Sequence, residues 1–565
     1  MPRPAAGISR LCSLSPKCRK LGDMRAAGIL LCAMAAFGQD LVVYGGTSAG
    51  MSTAVAGARQ GLKTVLLEPG RHIGGMATGG LSRTDVGKRE VIGGLALEFY
   101  YRTGERYEMR RYNNPVAWFY EPKAGEDVMR EMLKQAGVTV LFNHRLREKD
   151  GVKREGTKIT EIVMENGARF TGRIFADCTY EGDLMAQAKV SYTWGRESMA
   201  QYGESLAGVR EKTPKHQFTV NIPARDENGR LLPEISAAPR GESGAADKRV
   251  QAYNFRIIAT NDPANRIPWP KPRDYDPKRY ELLARLLAAL TKEKGRAPVF
   301  HEMTLIALIP NRKADFNNQG PFSTDYIGKN YDYPDGSYRR RAELWQEHID
   351  YNQGYYYFLA NDPRVPPGLQ REVNEWGLPK DEYADTGHWP HQLYVREARR
   401  MVGEYVMIQK DLQTERAKPD VIGMGSYNSD SHNVRRFVNA QGFAENEGDM
   451  QVPVQPYQIP YRMILPKRAE AANLLVPVCF SASHVAYSSL RMEPQYMIIG
   501  QAAGVAASLA VRNGVAVQDI RLADLQRILK SQAAVFEYVP YPQQEALGII
   551  RNKMRPPGPA RFNWE

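Results

Sequence analysis

The pattern of apolar and polar positions near the start of the chain predicts alternating strands and helices. Residues 41–44 form a short apolar run with β-branched members, which is typical of a buried parallel strand. Residues 51–62 are rich in small side chains and predict a closely packed helix, and residues 63–67 form a second apolar run. This order predicts a βαβ unit, the start of a Rossmann-like α/β fold.

A glycine loop joins the first predicted strand to the helix. Gly45 permits a tight turn, Gly50 lets helix and strand approach closely, and the helix N-terminus offers free N–H groups to a pyrophosphate. Glu68 ends the second strand, where an acid binds ribose hydroxyls. Thr47 replaces the middle glycine of the usual pattern, so its side chain either points away from the pyrophosphate or donates its hydroxyl to it. The cofactor contacts predicted from this stretch are Gly45, Gly46, Thr47, Ser48, Ala49, Gly50, Glu68 and Pro69.

A second glycine-rich stretch, residues 74–80, follows closely behind the acid. A nicotinamide-binding domain has no need of it, whereas FAD is bound in an elongated form and needs close backbone approach along more of its length. The two loops together therefore predict FAD as the cofactor. The contacts predicted here are Gly74, Gly75, Met76 and Thr78.

These motifs carry a resemblance to a known family. The sequence GGTSAG at residues 45–50, followed by GGMATGGL at residues 74–81, resembles the FAD-dependent oxidoreductase family that opens with a GGTPAG-type loop and continues with a GGM-x-T-x-GL segment. That family is similar in fold to the glutathione-reductase and fumarate-reductase type flavoproteins. The likeness extends over residues 40–515 and is specific for cofactor and fold, but not for substrate.

The resemblance implies a fold and further cofactor contacts. The fold implied is α/β, with a discontinuous Rossmann-like FAD-binding domain (parallel sheet plus β-meander) and a large inserted α+β substrate or cap domain. Related flavoproteins hold the adenine by backbone contact at a strand that matches residues 138–142, and a late helix faces the flavin because its N-terminus stabilises the negative charge of the reduced ring. The contacts implied are Val140, Asp177, Gly182, Arg491, Gly500, Gln501, Ala502 and Gly504.

Changes in composition divide the chain into five predicted segments. Residues 1–38 are the leader region, and residues 39–200 are the first part of the FAD-binding domain. Residues 201–420 are rich in aromatic residues interleaved with Asn, Asp and Arg, and we expect them to be the inserted substrate or cap domain. Residues 421–515 return to the FAD-binding domain, and residues 516–565 add one helix and a proline-rich tail.

The leader region has the form of a secretory signal peptide. Met24 and Arg25 start a positive segment, residues 26–37 are apolar, and Gly38 follows as a small residue at a cleavage site. The apolar segment is too short for a membrane span, so no integral membrane segment is expected in the mature chain. This predicts export to the periplasm or the medium, with Met24 as the alternative start; a disordered N-terminal extension is the competing interpretation.

The net charge and the cysteine content argue against several classes of function. Of the net charge of +13, the first 38 residues carry +5, so +8 remains on more than 500 residues and no nucleic-acid partner is expected. Only Cys178 and Cys479 lie beyond the leader, without a C-x-x-C motif. This argues against a disulfide framework and a dithiol reductase mechanism.

Three residues are candidates for the chemistry, namely His432, His484 and Arg396. Because flavin takes up the hydride, the protein has to orient the substrate and move a proton. A histidine can accept the proton of an alcohol or amine, and an arginine can bind a carboxylate through two hydrogen bonds. The alternative for each histidine is a structural role, and His72 is a further candidate as a covalent flavin anchor. No set of residues has the spacing of a metal site.

The favoured interpretation is an exported FAD-dependent oxidoreductase. It would transfer hydride between a small polar organic substrate and flavin, with a separate electron acceptor or donor that the sequence does not identify. The alternative is an FAD-holding scaffold or nucleic-acid-modifying flavoprotein without small-molecule dehydrogenase activity. The oligomeric state stays open at this point.

Overall fold

A computed structural model of the chain describes residues 37–109, 115–541 and 543–554. The strands are β1 (Phe37–Tyr44), β2 (Thr64–Glu68), β3 (Thr139–Phe142), β4 (Val152–Glu155), β5 (Lys158–Val163), β6 (Arg169–Asp177), β7 (Tyr192–Thr193), β8 (Ile257–Thr260), β9 (Arg266–Ile267), β10 (Thr304–Ile309), β11 (Lys313–Asn318), β12 (Leu378–Pro379), β13 (Arg400–Met401), β14 (Val421–Gly425), β15 (Ser429–Ser431), β16 (Arg435–Val438), β17 (Ala444–Glu447), β18 (Met450–Val452), β19 (Tyr457–Pro460) and β20 (Leu474–Leu475). The α-helices are α1 (Ser48–Arg59), α2 (Gly94–Arg106), α3 (Pro122–Gln135), α4 (Asp183–Gln187), α5 (Met199–Tyr202), α6 (Glu281–Lys294), α7 (Phe300–Met303), α8 (Tyr338–Asn361), α9 (Pro367–Asn374), α10 (Gln409–Gln413), α11 (His484–Leu490), α12 (Glu493–Asn513), α13 (Leu522–Ser531) and α14 (Gln543–Met554).

The main sheet has the strand order β3-β2-β1-β6-β5-β4, and β20 also pairs with β6. β1 runs parallel to both β2 and β6, β2 runs parallel to β3, and β20 runs parallel to β6. β4, β5 and β6 form an antiparallel meander on one side. The predicted parallel sheet plus β-meander is therefore confirmed. The carboxyl ends of β1, β2 and β6 meet at one edge, which is where open α/β sheets bind their ligands.

Helices α1 and α12 pack closely against each other through glycines. A Cβ atom on Gly500 would overlap the carbonyl oxygen of Ala49, and one on Gly504 would overlap the carbonyl oxygen of Thr53. Only glycine therefore allows the two helix backbones to lie at this distance. The all-small face that the sequence shows around residues 500–504 serves helix packing in the structure.

The middle of the chain contributes an aromatic part of the hydrophobic core. β8, β10 and β11 form an antiparallel sheet, and the ring centroid of Tyr356 of α8 lies 6.0 Å from that of Phe316 of β11. Tyr351, Tyr355 and Tyr356 of α8 are fully buried, and the ring of Tyr356 stacks on that of Trp269 with centroids 4.4 Å apart. These aromatic residues therefore build the hydrophobic core of this region rather than line a cavity.

Several predicted elements differ from the structure in extent. The strand predicted at residues 473–480 is reduced to β20, and the buried strand predicted at residues 138–142 is the half-exposed β3. The predicted leader core, residues 24–38, lies almost entirely outside the described residues, and its predicted cleavage point after Gly38 falls inside β1. Of the described helices, none is both long and apolar enough to span a bilayer. The boundaries at residues 200, 420 and 515 stay predictions.

Candidate functional site

The glycine loop between β1 and α1 adopts the tight turn that its sequence predicts. Gly45 has a φ of 98°, which favours glycine, and a Cβ atom there would lie 2.8 Å from the backbone of Cys178. A Cβ atom on Gly50 would overlap the carbonyl oxygen of Gly45. A Cβ atom on Gly46 would lie 2.8 Å from Glu68 Oε2. The loop therefore forms a cradle of backbone atoms without protruding side chains, which fits the phosphates of a dinucleotide.

Thr47 is turned away from the cradle. Its hydroxyl donates to the carbonyl oxygen of Cys178 at 2.7 Å and accepts from the N–H of Gly50 at 3.3 Å, so Thr47 serves as the N-cap of α1. Of the two roles left open by the sequence, the structure favours the first, in which the side chain points away from the pyrophosphate.

Glu68 ends β2 with its carboxylate held by the two neighbouring loops. It accepts hydrogen bonds from the N–H groups of Gly46 and Gly70, both at 2.6 Å. Burial raises the pKa of Glu68 to about 7 despite these two donors, which act in the opposite direction. The acid thus stands at the strand end where a ribose is bound in this fold, with a proton equilibrium near neutral pH.

Two adjoining cavities lie beside this loop. The first, of about 270 Å³, is bounded by the glycine loop, by Glu68 and by the second glycine stretch. The second, of about 330 Å³, continues toward α8. The residues that line both cavities are Pro69, Arg145, Thr179, Glu181 and Trp345. The crevice opens at the carboxyl ends of parallel strands and suits an elongated nucleotide.

The second glycine stretch lies directly against the first loop. Gly74 donates to the carbonyl oxygen of Gly46 at 2.7 Å, and the N–H of Met76 donates to the hydroxyl of Tyr180 at 2.9 Å. The Thr78 hydroxyl donates to the carbonyl oxygen of Ile73 at 2.5 Å and fixes the turn. Both predicted loops therefore belong to one site.

Glu493 joins the N-termini of α1 and α12 and was missed by the sequence reasoning. It begins α12, and its carboxylate accepts hydrogen bonds from the hydroxyls of Ser48 and, at 2.8 Å, Tyr180. Burial raises the pKa of Glu493 to about 7. An acid at the first helical position is a recognisable sequence signal, but its partners lie 313 and 445 residues away.

His432 belongs to a buried charged cluster. Its Nδ1 lies 2.7 Å from Asp325 Oδ2, and the other oxygen of this carboxylate lies 3.0 Å from the Arg396 guanidinium. Burial and the charge of Arg396 lower the pKa of His432, although Asp325 acts in the opposite direction. Asp325 donates no proton as a carboxylate, so Nδ1 carries the hydrogen and Nε2 keeps a free lone pair.

His484 lies in a neighbouring network with both ring nitrogens engaged. Its Nδ1 lies 2.8 Å from Glu397 Oε2, and its Nε2 lies 3.3 Å from Ser431 Oγ. The pKa of Glu397 is lowered to about 2. Burial alone would raise it, but the charges of His484 and Arg400 act more strongly in the opposite direction. The Gln251 side chain links the two networks because it accepts from the N–H of His432 and donates to Glu397. This geometry favours a positioning role for His484.

The structure places the predicted cofactor contacts at different distances from the first cavity. Those that line the first cavity are Gly45, Gly46, Thr47, Glu68, Pro69 and Gly75. Ser48, Ala49, Gly50, Gly74, Met76 and Thr78 support it from behind. Val140 lies within β3, Asp177 accepts from the N–H groups of Thr179 and Met185, and Gly182 is the N-cap of α4. Gln501 accepts from the N–H of Leu95, Gly500 and Gly504 lie in the contact between α1 and α12, and Ala502 is buried within α12.

Within the described residues, two groups of potential metal ligands come together, where the sequence predicted no metal site. The first consists of His72, Glu126 and His391. The rings of His72 and His391 stack with centroids 4.1 Å apart and planes 9° apart, so their in-plane lone pairs do not converge on one ion. The second group consists of Glu121, Asp381 and Glu382. These carboxylates surround the ammonium group of Lys313, which supplies the positive charge that a metal ion would otherwise supply.

The site lies at the ligand-binding edge of a parallel sheet and combines a glycine loop, an acid at a strand end and a second glycine loop. This combination defines a dinucleotide-binding flavoprotein of the Rossmann type. The chain belongs to the FAD dependent oxidoreductase family, whose profile matches residues 40–529. The protein is thus an oxidoreductase with FAD as its cofactor, as the sequence predicted.

The chain is similar over part of its length to several solved flavoenzymes. One is the anhydrotetracycline hydroxylase OxyS from Streptomyces rimosus, with 12% identity over 33% of this chain and 43% of that chain and a TM-score of 0.21. Another is the thioredoxin reductase from Lactococcus lactis, with 21% identity over 25% of this chain and 34% of that chain and a TM-score of 0.17. The L-amino acid deaminase from Proteus vulgaris matches at 16% identity over 29% of this chain and 54% of that chain, with a TM-score of 0.22. Each match spans less than two thirds of the other chain. No curated protein sequence matches this chain.

Proposed function

We propose that the protein transfers hydride between a small polar organic substrate and FAD, with His432 as the residue that moves the proton. The observation that carries this proposal is the short contact between His432 Nδ1 and Asp325, which leaves Nε2 as an available base. FAD, when bound, supplies the two-electron chemistry. A separate electron acceptor or donor completes the cycle.

The position of the cluster relative to the glycine loops supports this role. The Cα of Gln392 would lie 3.4 Å from a Cβ atom on Gly79, and a Cβ atom on Gly80 would overlap the backbone of Arg256. These segments therefore cover the second glycine loop tightly. Tyr394, two residues after Gln392, lies beside Arg396 of the cluster. We infer that the covering segments limit the access of water to the region in which a substrate would meet the cofactor.

Substitution of His432 tests the proposal. We expect His432→Gln to slow flavin reduction roughly 10²- to 10⁴-fold, because proton transfer by a positioned side chain contributes about that factor. The measurement is single-turnover anaerobic bleaching of the FAD-loaded enzyme by whichever member of a panel of sugars, amines, hydroxy acids and NAD(P)H reduces the wild type.

The matched control is His484→Gln, which removes a histidine of similar burial whose two ring nitrogens are engaged. When FAD content is equal, His484→Gln should slow flavin reduction less than His432→Gln does, because His484 acts on the site only through Glu397 and Gln251. Wild-type rates in His432→Gln, or a larger loss in His484→Gln, would contradict the assignment.

We also propose that the enzyme is exported and cleaved after Gly38. The support is the order of positive, apolar and small residues from Met24 to Gly38. N-terminal sequencing of protein isolated from the native host should give Gln39 as the first residue, in material recovered outside the cytoplasm. Cytoplasmic protein that retains residues 24–38 would refute this proposal.

A further inference from the structure

Arg491 is a buried cation that lacks a carboxylate partner in the described part of the chain. Its Nη1 donates to the Tyr394 hydroxyl at 2.9 Å, and its Nη2 donates to the carbonyl oxygen of Asp430 at 2.7 Å. Its Nε has no hydrogen-bond partner among the described residues, although the residue is only 3% exposed. Burial acts to lower the pKa of Arg491, but Tyr394 and the charge of Asp430 outweigh it and raise the pKa, so Arg491 stays protonated although no carboxylate forms an ion pair with it among the described residues.

Arg396 lies on the same aromatic ring. Its guanidinium carbon is 4.6 Å from the centroid of Tyr394, and that of Arg491 is 5.7 Å from it. The Nε of Arg396 is likewise without a hydrogen-bond partner among the described residues. Asp325 pairs with both Arg396 and His432. This single carboxylate is therefore shared, while the guanidinium groups of Arg396 and Arg491 are both buried near the ring of Tyr394.

An acceptor without a partner stands beside these donors. Within the described residues, Asp430 Oδ1 has no hydrogen-bond donor, and it lies 4.0 Å from His432 Nε2. The side chain of Asp430 is 18% exposed, so solvent reaches the cluster at this carboxylate. Buried polar groups without partners in the protein find them in a ligand or in ordered water.

We propose that this cluster binds a carboxylate with a hydroxyl or amino group on the adjacent carbon. The carboxylate is held by Arg396 and Arg491 above Tyr394, because guanidinium groups bind carboxylates through paired hydrogen bonds. The neighbouring hydroxyl or amino group donates its hydrogen to Nε2 of His432, which lies 4.0 Å from Asp430 Oδ1. This inference rests on the proposed function and names its substrate class.

Oxidation of such a substrate balances with the groups present. The C–H bond of the carbon that carries the hydroxyl or amino group breaks, and its hydrogen leaves with two electrons as a hydride to FAD. The O–H or N–H proton passes to Nε2 of His432. The product is a 2-oxo or 2-imino carboxylate, and no further oxidant is needed in this half-reaction.

The test uses the FAD-loaded enzyme and measures binding separately from turnover. Propionate, which has the carboxylate but no oxidisable neighbour, is titrated calorimetrically into the wild type and into Arg491→Gln, Arg491→Lys and Arg512→Gln. Arg512 is an exposed arginine of α12 and serves as the matched control. We expect Arg491→Gln to weaken propionate binding by about 10- to 100-fold, Arg491→Lys to weaken it less, and Arg512→Gln to leave it unchanged.

Turnover then identifies the neighbouring group. Lactate and alanine are compared with propan-2-ol and isopropylamine, which lack the carboxylate, in anaerobic flavin bleaching. We expect lactate or alanine to reduce the flavin and the matched neutral alcohol and the amine to fail. Reduction by lactate alone assigns a hydroxy acid, and reduction by alanine alone assigns an amino acid.

Three results would overturn the inference. The first is that wild type and Arg491→Gln bind propionate with equal affinity, or that neither protein binds propionate. The second is a shift of the flavin midpoint potential in Arg491→Gln with propionate affinity unchanged, which would assign Arg491 to the negative charge of reduced flavin. The third is His432-dependent flavin reduction by a neutral sugar or amine while carboxylates neither bind nor react; it would remove the substrate class but leave the proposed function intact.

Discussion

At the scale of single residues, burial sets the proton equilibria of the cofactor site. The pKa values of Glu68 and Glu493 are raised to about 7 by burial, and that of Asp177 to about 6, although each accepts hydrogen bonds. Two or three hydrogen bonds to each carboxylate do not offset the loss of water. In the cofactor-free protein a raised pKa of Glu68 lowers stability as pH rises from its ordinary value toward 7, because the folded state holds the proton more tightly.

FAD affinity should therefore depend on pH through Glu68. A ribose hydroxyl donates to an ionised carboxylate, so we expect the dissociation constant to rise as pH falls below about 7, by up to about tenfold per pH unit. Fluorescence titration of the cofactor-free enzyme with FAD at a series of pH values measures this. Glu68→Gln should bind FAD more weakly, with a flatter pH profile.

Glu493 titrates in the same range and needs its own control. Glu493→Gln should retain the Glu68-dependent slope, because Glu493 contacts Ser48 and Tyr180 rather than the strand end. Identical pH profiles for wild type and Glu68→Gln would contradict the role given to Glu68.

At the scale of elements, the contact between α1 and α12 positions both helix N-termini at the site. Gly504 faces the backbone of Thr53, and the Cβ of Ala56 would lie 2.7 Å from an added Cβ atom. The atoms that such a Cβ would meet are backbone atoms and the base of a side chain, which cannot rotate away. A displacement of α12 would therefore carry Glu493 away from Ser48.

Gly504→Ala should destabilise the protein and weaken FAD binding together. Overpacking of a tight contact typically costs about 1–3 kcal/mol, and this contact is backbone to backbone. Denaturant unfolding and FAD titration measure the two effects. Gly548→Ala is the matched control, because its Cβ meets no atom within 4 Å and alanine favours a helix. Equal unfolding midpoints for Gly504→Ala and wild type would contradict the packing argument.

At the scale of the whole molecule, the site joins distant parts of one compact unit. Loops at residues 45–50 and 74–80, the β6–α4 connection and the start of α12 all meet at the crevice. A ligand that contacts all of them binds the folded chain and not the unfolded one, so it stabilises the fold.

FAD should raise the thermal unfolding midpoint of residues 39–565. At a free FAD concentration about 100-fold above the dissociation constant, the stabilisation is about 2.7 kcal/mol. Thermal melts with and without FAD measure it at fixed protein concentration. Gly50→Leu, whose side chain would overlap Gly45, should show no FAD-dependent shift. A colourless wild-type protein whose midpoint ignores FAD would refute the prediction.

The amino-acid sequence by itself determined the fold class, the family and the cofactor. The apolar runs, the glycines at turns and the acid at the end of β2 are close together in the chain, and local backbone geometry gives each of them a direct meaning. The sequence also identified His432, Arg396 and Arg491 as candidates, although it assigned Arg491 to the cofactor. These roles stay predictions until the variants above are measured.

Only the tertiary structure decided which groups are partners. Asp325 lies 107 residues from His432, and Tyr394 lies 97 residues from Arg491, so no spacing rule connects them. The structure also distinguished His432, with a free Nε2, from His484, whose two nitrogens are engaged, and it placed Gly500 and Gly504 in a helix contact. Burial and hydrogen bonding depend on what packing brings together across the chain, and these are the quantities that set charge and chemistry.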